Sequence, residues 1–184
     1  MPKRVLIDAC ALVPISLCDV LLELADAELF RPFWSEMILT KLQHTLIEDL
    51  QMPPQLATTR IRHMRNAFRG SMVTDFEDLI PSMTNNSKDR HVLAAAVKAK
   101  CGIITTADLG GFPTSALAPF GVAAIRPDDF LISLLAEDQD QVWQIIDRKR
   151  ASYHKPPRTM TEFCHQLGKL VPLFADRLLA ISPK

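Results

Sequence analysis

Short apolar runs alternate along the chain with longer segments of helical periodicity. Residues 4–7, 103–105 and 122–125 are apolar runs bounded by polar residues or turns, and each predicts a buried strand. Residues 30–34 predict a further short strand or extended turn, because Pro32 lies inside them. Strands that alternate with helices are typical of a parallel sheet with helices on both faces. The pattern therefore predicts an α/β protein with a three-layer α/β/α fold and a central parallel sheet.

Helical periodicity fills the segments between these runs. The predicted helices are residues 9–27, 35–50, 56–69 and 89–100. Ser35 is a suitable N-cap for the second helix, and Gly70 is a natural stop for the third.

The strand pattern does not return after the last apolar run. Asp128 is expected to cap a helix at the start of this region, and residues 161–179 predict the last helix. We therefore expect residues 1–126 to form the α/β domain. Residues 127–184 should form a helical extension that packs on this domain or on a second subunit.

Composition narrows the class of protein. The 21 basic and 21 acidic residues balance, which argues against non-specific coating of nucleic acid but allows a local basic groove. The four cysteines form no C-x-x-C pair, and they are interpreted as free thiols in a reducing cytosol. No signal peptide is evident, and no apolar run approaches the roughly 20 residues that span a bilayer. We expect a cytoplasmic protein with no membrane partner.

Three acidic residues lie where predicted strands end or a predicted helix begins. Asp8 follows the first strand, Asp108 lies just beyond residues 103–105, and Asp89 opens a helix. The carboxyl edge of a parallel sheet borders the crevice where α/β folds bind ligands. Three carboxylates gathered there would repel one another unless a divalent cation neutralised them. The residues predict an Mg²⁺ or Mn²⁺ site and metal-assisted chemistry on a phosphate-containing substrate.

Two further polar residues are candidates for the same site. Thr106 lies two residues before Asp108 and could orient a carboxylate or a water. Glu36 lies in the first turn of the second predicted helix and is a candidate metal ligand. Each acid also has a structural alternative, since Asp8 and Asp89 suit helix starts and Asp108 suits a turn.

Five short motifs follow one another along most of the chain. They are residues 5–8 (VLID), 31–35 (RPFWS), 88–96 (KDRHVLAAA), 104–108 (ITTAD) and 127–131 (PDDFL). Their order and spacing resemble the PIN domain family of metal-dependent ribonucleases, and the third motif is the most specific. This family includes the VapC-type toxins of type II toxin–antitoxin pairs.

The resemblance implies an endoribonuclease that hydrolyses RNA phosphodiester bonds with the help of Mg²⁺ or Mn²⁺. It assigns the catalytic and metal-binding roles to Asp8, Asp89 and Asp108. It also implies an RNA substrate and a small antitoxin protein as partner. A homo-oligomer is the further assembly that the helical extension would allow, if it forms a surface between subunits.

Two positions depart from the family pattern. Family members usually carry a Glu several residues into the helix that opens at Ser35, where this chain has Thr40 and Lys41. Glu36 lies one turn earlier on the same face and is the nearby acid that could substitute. Many members also carry an acid where this chain has Gly111. Fewer carboxylates predict weaker metal binding, so we expect activity to need a high concentration of the ion.

Three arginines recur at helical spacing within residues 56–69. Arg62, Arg65 and Arg69 are therefore expected on one face of that helix. This face is a candidate contact for the RNA backbone, whose phosphates bind basic side chains. A solvated charged face is the alternative.

Three functions stay open on the sequence alone. The first is the PIN-type ribonuclease toxin. The second is a PIN-fold module that binds RNA or protein with weak or no catalysis, because the usual helix Glu is missing. The third is a phosphohydrolase that acts on small phosphate esters.

Overall fold

A parallel five-stranded sheet forms the centre of the protein, as a computed structural model describes it for residues 2–154 and 156–182. The strands are β1 (Lys3–Ile7), β2 (Phe30–Ser35), β3 (Met72–Val73), β4 (Ile103–Thr105) and β5 (Ala123–Ile125). Their order is β3-β2-β1-β4-β5, and every neighbouring pair is parallel. The predicted three-layer α/β/α fold is confirmed. The two predicted segments, residues 1–126 and 127–184, include four residues that lie outside the described structure: 1, 155, 183 and 184.

Helices connect the strands and form the C-terminal part of the chain. They are α1 (Ala9–Leu12), α2 (Ile15–Asp26), α3 (Glu36–His44), α4 (Pro54–Ala67), α5 (Arg90–Lys98), α6 (Thr114–Leu117), α7 (Pro127–Glu137), α8 (Gln139–Ala151), α9 (Met160–Leu167) and α10 (Pro172–Ala180). A π-helical turn, Thr45–Asp49, follows α3, and short 3₁₀ turns include Glu77–Ser82, Ser87–Asp89 and Leu109–Gly111. Across the described residues, none of the helices has the length and apolar content that crossing a membrane requires.

Two segments predicted as single helices are interrupted. Residues 9–27 divide into α1 and α2 at Pro14, because proline lacks the N–H that a continuous helix needs. Residues 161–179 divide into α9 and α10. Gly168 follows the end of α9, and Pro172 occupies the first position of α10, where its missing N–H costs nothing.

The sequence pattern also missed β3. This strand has two residues, Met72 and Val73, which pair with Trp34 and Ser35 of β2. A two-residue strand is too short to show a periodicity of its own. Pairing with β2 therefore defines it.

The central strand β1 is buried on both faces. Val5, Leu6 and Ile7 are completely inaccessible, although successive side chains of a strand point to opposite faces. Burial on both faces is typical of parallel sheets, which helices cover on each side. As a result β1 is a rigid support for the residue that follows it, Asp8.

The C-terminal helices pack against the α/β part of the chain. Phe130 of α7 meets Phe30 of β2 edge-to-face, with ring centroids 4.9 Å apart. From α8, Lys149 approaches two carboxylates of α2, Asp19 at 3.7 Å and Glu23 at 3.6 Å. The extension thus contributes both apolar and charged contacts to the same molecule.

Asp128 caps α10 and not the helix in which it lies. The helix α7 begins at Pro127, after Arg126. The two carboxylate oxygens of Asp128 accept hydrogen bonds from the backbone N–H groups of Leu173, at 3.0 Å, and Phe174, at 2.8 Å. The expectation that Asp128 caps its own helix is therefore wrong. It satisfies N–H groups in the first turn of α10, which have no partner within that helix.

Candidate active site

Asp8 and Asp108 lie at the carboxyl ends of β1 and β4, between which the order of the strands in the sheet reverses. The strands β2 and β3 follow β1 on one side of it, and β4 and β5 are added on the other side. Asp8 comes directly after β1, and Asp108 comes shortly after β4, which pairs with β1. Open α/β sheets bind ligands in the crevice at such a switch point. Two of the predicted acids are therefore at the expected edge.

Hydrogen bonds hold the buried carboxylate of Asp8 in place. Its Oδ1 accepts from the backbone N–H of Ala9 at 2.7 Å, so Asp8 also caps α1. Its Oδ2 accepts from the Thr106 hydroxyl at 2.9 Å and from the Cys10 thiol at 3.1 Å. Thr106 Oγ1 in turn accepts from the backbone N–H of Asp108 at 3.1 Å. Thr106 therefore connects the acid after β1 to the loop that carries the acid after β4.

The third acid, Asp89, is buried with one oxygen unpaired. It lies immediately before α5 and is 3% exposed, and its Oδ2 has no hydrogen-bond partner among the described residues. Burial raises the pKa of Asp89, the ammonium groups of Lys41 and Lys88 oppose this rise, and the negative charges of Asp8 and Asp108 reinforce it. The three acids therefore act on one another electrostatically. A buried carboxylate oxygen without a partner is costly, so this atom is a candidate ligand for a cation.

Gly111 leaves the space that the carboxylate of Asp89 occupies. A Cβ atom on Gly111 would collide with Oδ2 of Asp89 and lie 3.1 Å from its Cγ. The carbonyl oxygen of Gly111 accepts hydrogen bonds from Asn85 Nδ2 at 3.2 Å and from the backbone N–H of Asn86 at 3.3 Å. These bonds hold the loop before α5 against the turn after β4. The close approach gives a physical reason for glycine at this position.

Two lysines are paired with the acids. Lys41 Nζ of α3 lies 3.6 Å from Asp89 Oδ1, and Lys88 Nζ lies 3.3 Å from Asp108 Oδ2. The hydrogen bond to Asp108 raises the pKa of Lys88, and the negative charges of Asp89 and Asp8 act in the same direction. Part of the negative charge at the sheet edge is therefore balanced by the protein itself.

The donor atoms of this group suit a hard divalent cation. Carboxylate and hydroxyl oxygens are the ligands that Mg²⁺ and Mn²⁺ prefer, and Asp89 Oδ2 is an acceptor to which no group in the described part of the chain donates. Over residues 2–154 and 156–182, no three carboxylate, imidazole or thiol groups are close enough together to form a ready-made metal cluster. The chemistry of the donors fits the ion, whereas the positive charges of the two lysines oppose it.

Glu36 has a different partner. Its Oε1 accepts a hydrogen bond from Arg65 Nη2 at 2.6 Å, and its side chain is 61% exposed. The side chain of α3 that contacts an acid of the site is Lys41. At the position where the family resemblance predicts an acid, α3 contributes the positive charge of Lys41.

The three candidate arginines do not form one helical face. Arg62 and Arg65 are exposed on α4, but this helix ends at Ala67, so Arg69 lies beyond it. The expectation of a single face is wrong, because the chain leaves the helix two residues before Arg69. Arg65 is also engaged in the ion pair with Glu36.

The sequence did not single out Cys10 and Lys88 as site residues. Cys10 Sγ accepts from the backbone N–H of Ala107 at 3.2 Å and lies 3.2 Å from Thr106 Oγ1. Burial raises the pKa of Cys10, and the charge of Asp8 adds to this, so the thiol stays neutral and can donate to the carboxylate. Lys88 could have been found from the sequence, because it lies directly before the candidate acid Asp89. For Cys10, no sequence signal distinguished it from an ordinary core cysteine.

Comparison with known proteins establishes the family. The family profile described as "PIN domain" matches residues 4–110, and the profile described as "VapC50 C-terminal domain" matches residues 127–180. The first match covers more than half of the chain, so the chain belongs to the PIN domain family.

A relative with an assigned name supports the same conclusion. A protein of Mycobacterium tuberculosis (strain ATCC 25618 / H37Rv) named "Putative ribonuclease VapC50" is 36% identical over 118 residues. The aligned region covers 64% of this chain and 70% of that protein. No solved structure matched the chain significantly.

Proposed function

We propose that the protein is an Mg²⁺- or Mn²⁺-dependent endoribonuclease that hydrolyses RNA phosphodiester bonds. Membership of the PIN domain family and similarity to a protein named as a ribonuclease support this activity. The observation that carries the proposal is the buried Oδ2 of Asp89, which has no hydrogen-bond partner among the described residues, while the negative charges of Asp8 and Asp108 raise the pKa of this carboxyl. A carboxylate group of this kind gains stability when a cation binds.

Each site residue has a role in this proposal. Asp8, Asp89 and Asp108 are the catalytic residues and would hold the ion through their carboxylate oxygens. A bound divalent ion supplies Lewis-acid polarisation of the phosphodiester and a lower pKa for an attacking water. Thr106 fixes Asp8 through its hydroxyl and the Asp108 backbone through its oxygen, so it orients two of the acids. In this scheme Glu36 acts through its ion pair with Arg65.

Exposed basic side chains offer contacts for the RNA backbone. Arg62, Arg65 and Arg69 are all exposed, and the Glu36 pair ties Arg65 to the first turn of α3. Phosphate contacts position a nucleic acid without reading its sequence. We therefore assign backbone binding to these arginines and leave the choice of cleavage site to other features.

The biological role that follows is that of a VapC-type toxin in a type II toxin–antitoxin pair. The partner would be a small antitoxin protein, the compartment the cytoplasm, and a homo-oligomer the further assembly. Co-purification with the product of a small neighbouring reading frame tests this role. Inhibition of RNA cleavage by that product supports it, and cleavage that continues undiminished contradicts it.

The decisive experiment is RNA cleavage with Mg²⁺ or Mn²⁺, compared with Asp8→Asn and with added EDTA. Asparagine keeps an oxygen that can cap α1, so the variant removes the charge with little change to the fold. We expect cleavage to fall by at least about 100-fold, because even groups that merely support a ligand contribute 10- to 100-fold. Asp129→Asn, at an exposed acid in α7, is the matched control and should cleave like wild type. RNA binding without cleavage would instead support the binding-module alternative.

A further inference from the structure

Lys41 brings a positive charge to one of the two buried acids of the site, Asp89. Its Nζ lies 3.6 Å from Asp89 Oδ1, and the Asp89 side chain is only 4% exposed. The other oxygen of Asp89 has no partner among the described residues. The ammonium of Lys41 is thus a counter-charge for a carboxylate that burial would otherwise leave poorly compensated.

An ammonium and a divalent ion compete for such a carboxylate. A metal that coordinates Asp89 would experience repulsion from an ammonium held within ion-pair distance of the same group. Lys41 can relieve this repulsion, since its side chain is 45% exposed and its four-carbon stem is flexible. Once it leaves Asp89, its ammonium can pair with the phosphates of a bound nucleic acid, which attract basic side chains.

We propose that Lys41 is a mobile counter-cation, which neutralises Asp89 in the metal-free protein and transfers to an RNA phosphate when a divalent ion binds. This inference rests on the proposed metal-dependent nuclease function, because it concerns the same carboxylates. The two binding events are therefore thermodynamically coupled. RNA strengthens metal binding by drawing Lys41 away from Asp89, and metal strengthens RNA binding by releasing Lys41, by the same factor.

Lys88 provides an internal comparison. It pairs with Asp108, but both side chains are exposed, by 61% and 53%. Exposed ion pairs are screened by water and salt and contribute little. Replacing Lys88 should therefore alter metal affinity less than replacing Lys41.

Calorimetric titration of Mn²⁺ into the metal-free protein tests the first half of the inference. Lys41→Met keeps most of the length of the side chain and removes its charge, and we expect Mn²⁺ to bind at least about fivefold more tightly, within the usual range of coupling energies. Lys98→Met is the matched control, because Lys98 is an exposed lysine at the end of α5 that forms no ion pair within the described chain. It should bind Mn²⁺ like wild type.

The coupling is tested by repeating the titrations with a short 2′-O-methyl RNA oligonucleotide, checked to be intact afterwards. In wild type the oligonucleotide should tighten Mn²⁺ binding by about fivefold or more, and in Lys41→Met this effect should be lost. A measurement without metal adds an independent readout. In EDTA, Lys41→Met should melt at a lower temperature than wild type or Lys98→Met, because Asp89 loses its counter-charge, and Mn²⁺ should raise its melting temperature more than it raises that of wild type.

The outcomes separate this inference from the proposed function. Equal Mn²⁺ affinity in wild type and Lys41→Met, or coupling of equal size in both, overturns the inference, while RNA cleavage by wild type leaves the nuclease proposal intact. Tighter binding in Lys41→Met that Asp89→Asn abolishes, together with no RNA cleavage, supports the inference and refutes the nuclease. A gain in affinity that survives Asp89→Asn places the ion elsewhere and overturns the inference. If none of the proteins binds Mn²⁺, both fall.

Discussion

At the scale of single residues, the carboxylate of Asp89 is held in an environment that opposes its charge. Burial raises its pKa, and the nearby Asp8 and Asp108 repel its ionised form, although Lys41 and Lys88 compensate in part. A group that is unfavourable for the folded protein and favourable for binding a cation is typical of a functional site. Because the folded protein disfavours the ionised form of Asp89, its stability should depend measurably on pH.

We expect Asp89→Asn to raise the free energy of unfolding near neutral pH in EDTA. The folded-state pKa of Asp89 lies above its unfolded value of about 3.9, so the folded protein holds the proton more tightly. Stability from this group is complete below the unfolded pKa and is lost as pH rises through the folded pKa. Asparagine carries no charge at any of these pH values, so the variant does not lose this stability as pH rises. Its higher free energy of unfolding relative to wild type should therefore vanish below about pH 4. Denaturant unfolding across this range measures it.

The exposed Asp129 supplies the control for this measurement. Asp129→Asn should leave the pH dependence of unfolding unchanged. An Asp89→Asn variant less stable than wild type at neutral pH would show that the ionised carboxylate stabilises the metal-free fold. The same variant should also lose RNA cleavage, which would show that stability is given up here for function.

Gly111 leads to a second prediction at this scale. In Gly111→Ala the new Cβ collides with Oδ2 of Asp89, so the carboxylate must move. We expect a loss of stability of about 1–3 kcal/mol from overpacking, and an activity loss of up to about 100-fold from the misplaced carboxylate. Chemical unfolding and RNA cleavage measure the two effects. In Gly102→Ala the new Cβ meets nothing within 4 Å, so this variant should behave like wild type.

The sequence predicted the positions of some site residues and missed others for a physical reason. Asp8 and Asp108 follow apolar strands, and the ends of parallel strands meet at one edge, so their placement at the sheet edge could be predicted. The contact between Lys41 and Asp89 depends on how α3 packs beside α5, which no local pattern contains. The sequence did not indicate Cys10 either, since its partner Thr106 lies in the loop after β4 and is distant along the chain.

At the scale of elements, local signals predicted the limits of the strands that they detected better than the ends of helices. The strand over residues 103–105 coincides with β4, since a short apolar run bounded by turns has little choice of limits. The periodicity over residues 161–179 predicts one helix, although Gly168 and Pro172 are themselves signals for its interruption. Asp128 was assigned to its own helix because its true partners, in α10, are distant in sequence.

The cap of α10 can be tested with a matched pair of variants. Asp128→Ala removes the acceptor for the backbone N–H groups of Leu173 and Phe174, and we expect a loss of about 1–2 kcal/mol in the free energy of unfolding. Asp129→Ala removes an acid from the same turn of α7, so both variants change the helix dipole interaction alike. Chemical unfolding of the two proteins isolates the cap. Equal stabilities would show that Asp128 contributes only its charge.

At the scale of the whole molecule, the C-terminal helices complete the hydrophobic core. Phe130, Leu134, Val142 and Phe174 are almost inaccessible, and they come from three different helices of the extension. Two separate family profiles match the two parts of the chain, residues 4–110 and residues 127–180. The limits of these family matches do not tell whether the first 126 residues fold alone, because that depends on how much of their core packs against the C-terminal helices.

We expect truncation after Arg126 to yield a protein that does not fold stably. The truncation removes Phe130 from its edge-to-face contact with Phe30 and exposes the surface that α7 and α8 cover. Because a truncated chain can fail for several reasons, Phe130→Ala in the full chain is the sharper test. It should lower the free energy of unfolding by about 3–5 kcal/mol, the usual cost of emptying a buried aromatic site. Leu173→Ala is the control, since this side chain is 58% exposed and its loss should matter little. A truncated protein that unfolds cooperatively at the wild-type temperature would show that the extension is an independent unit whose packing adds nothing to the PIN domain.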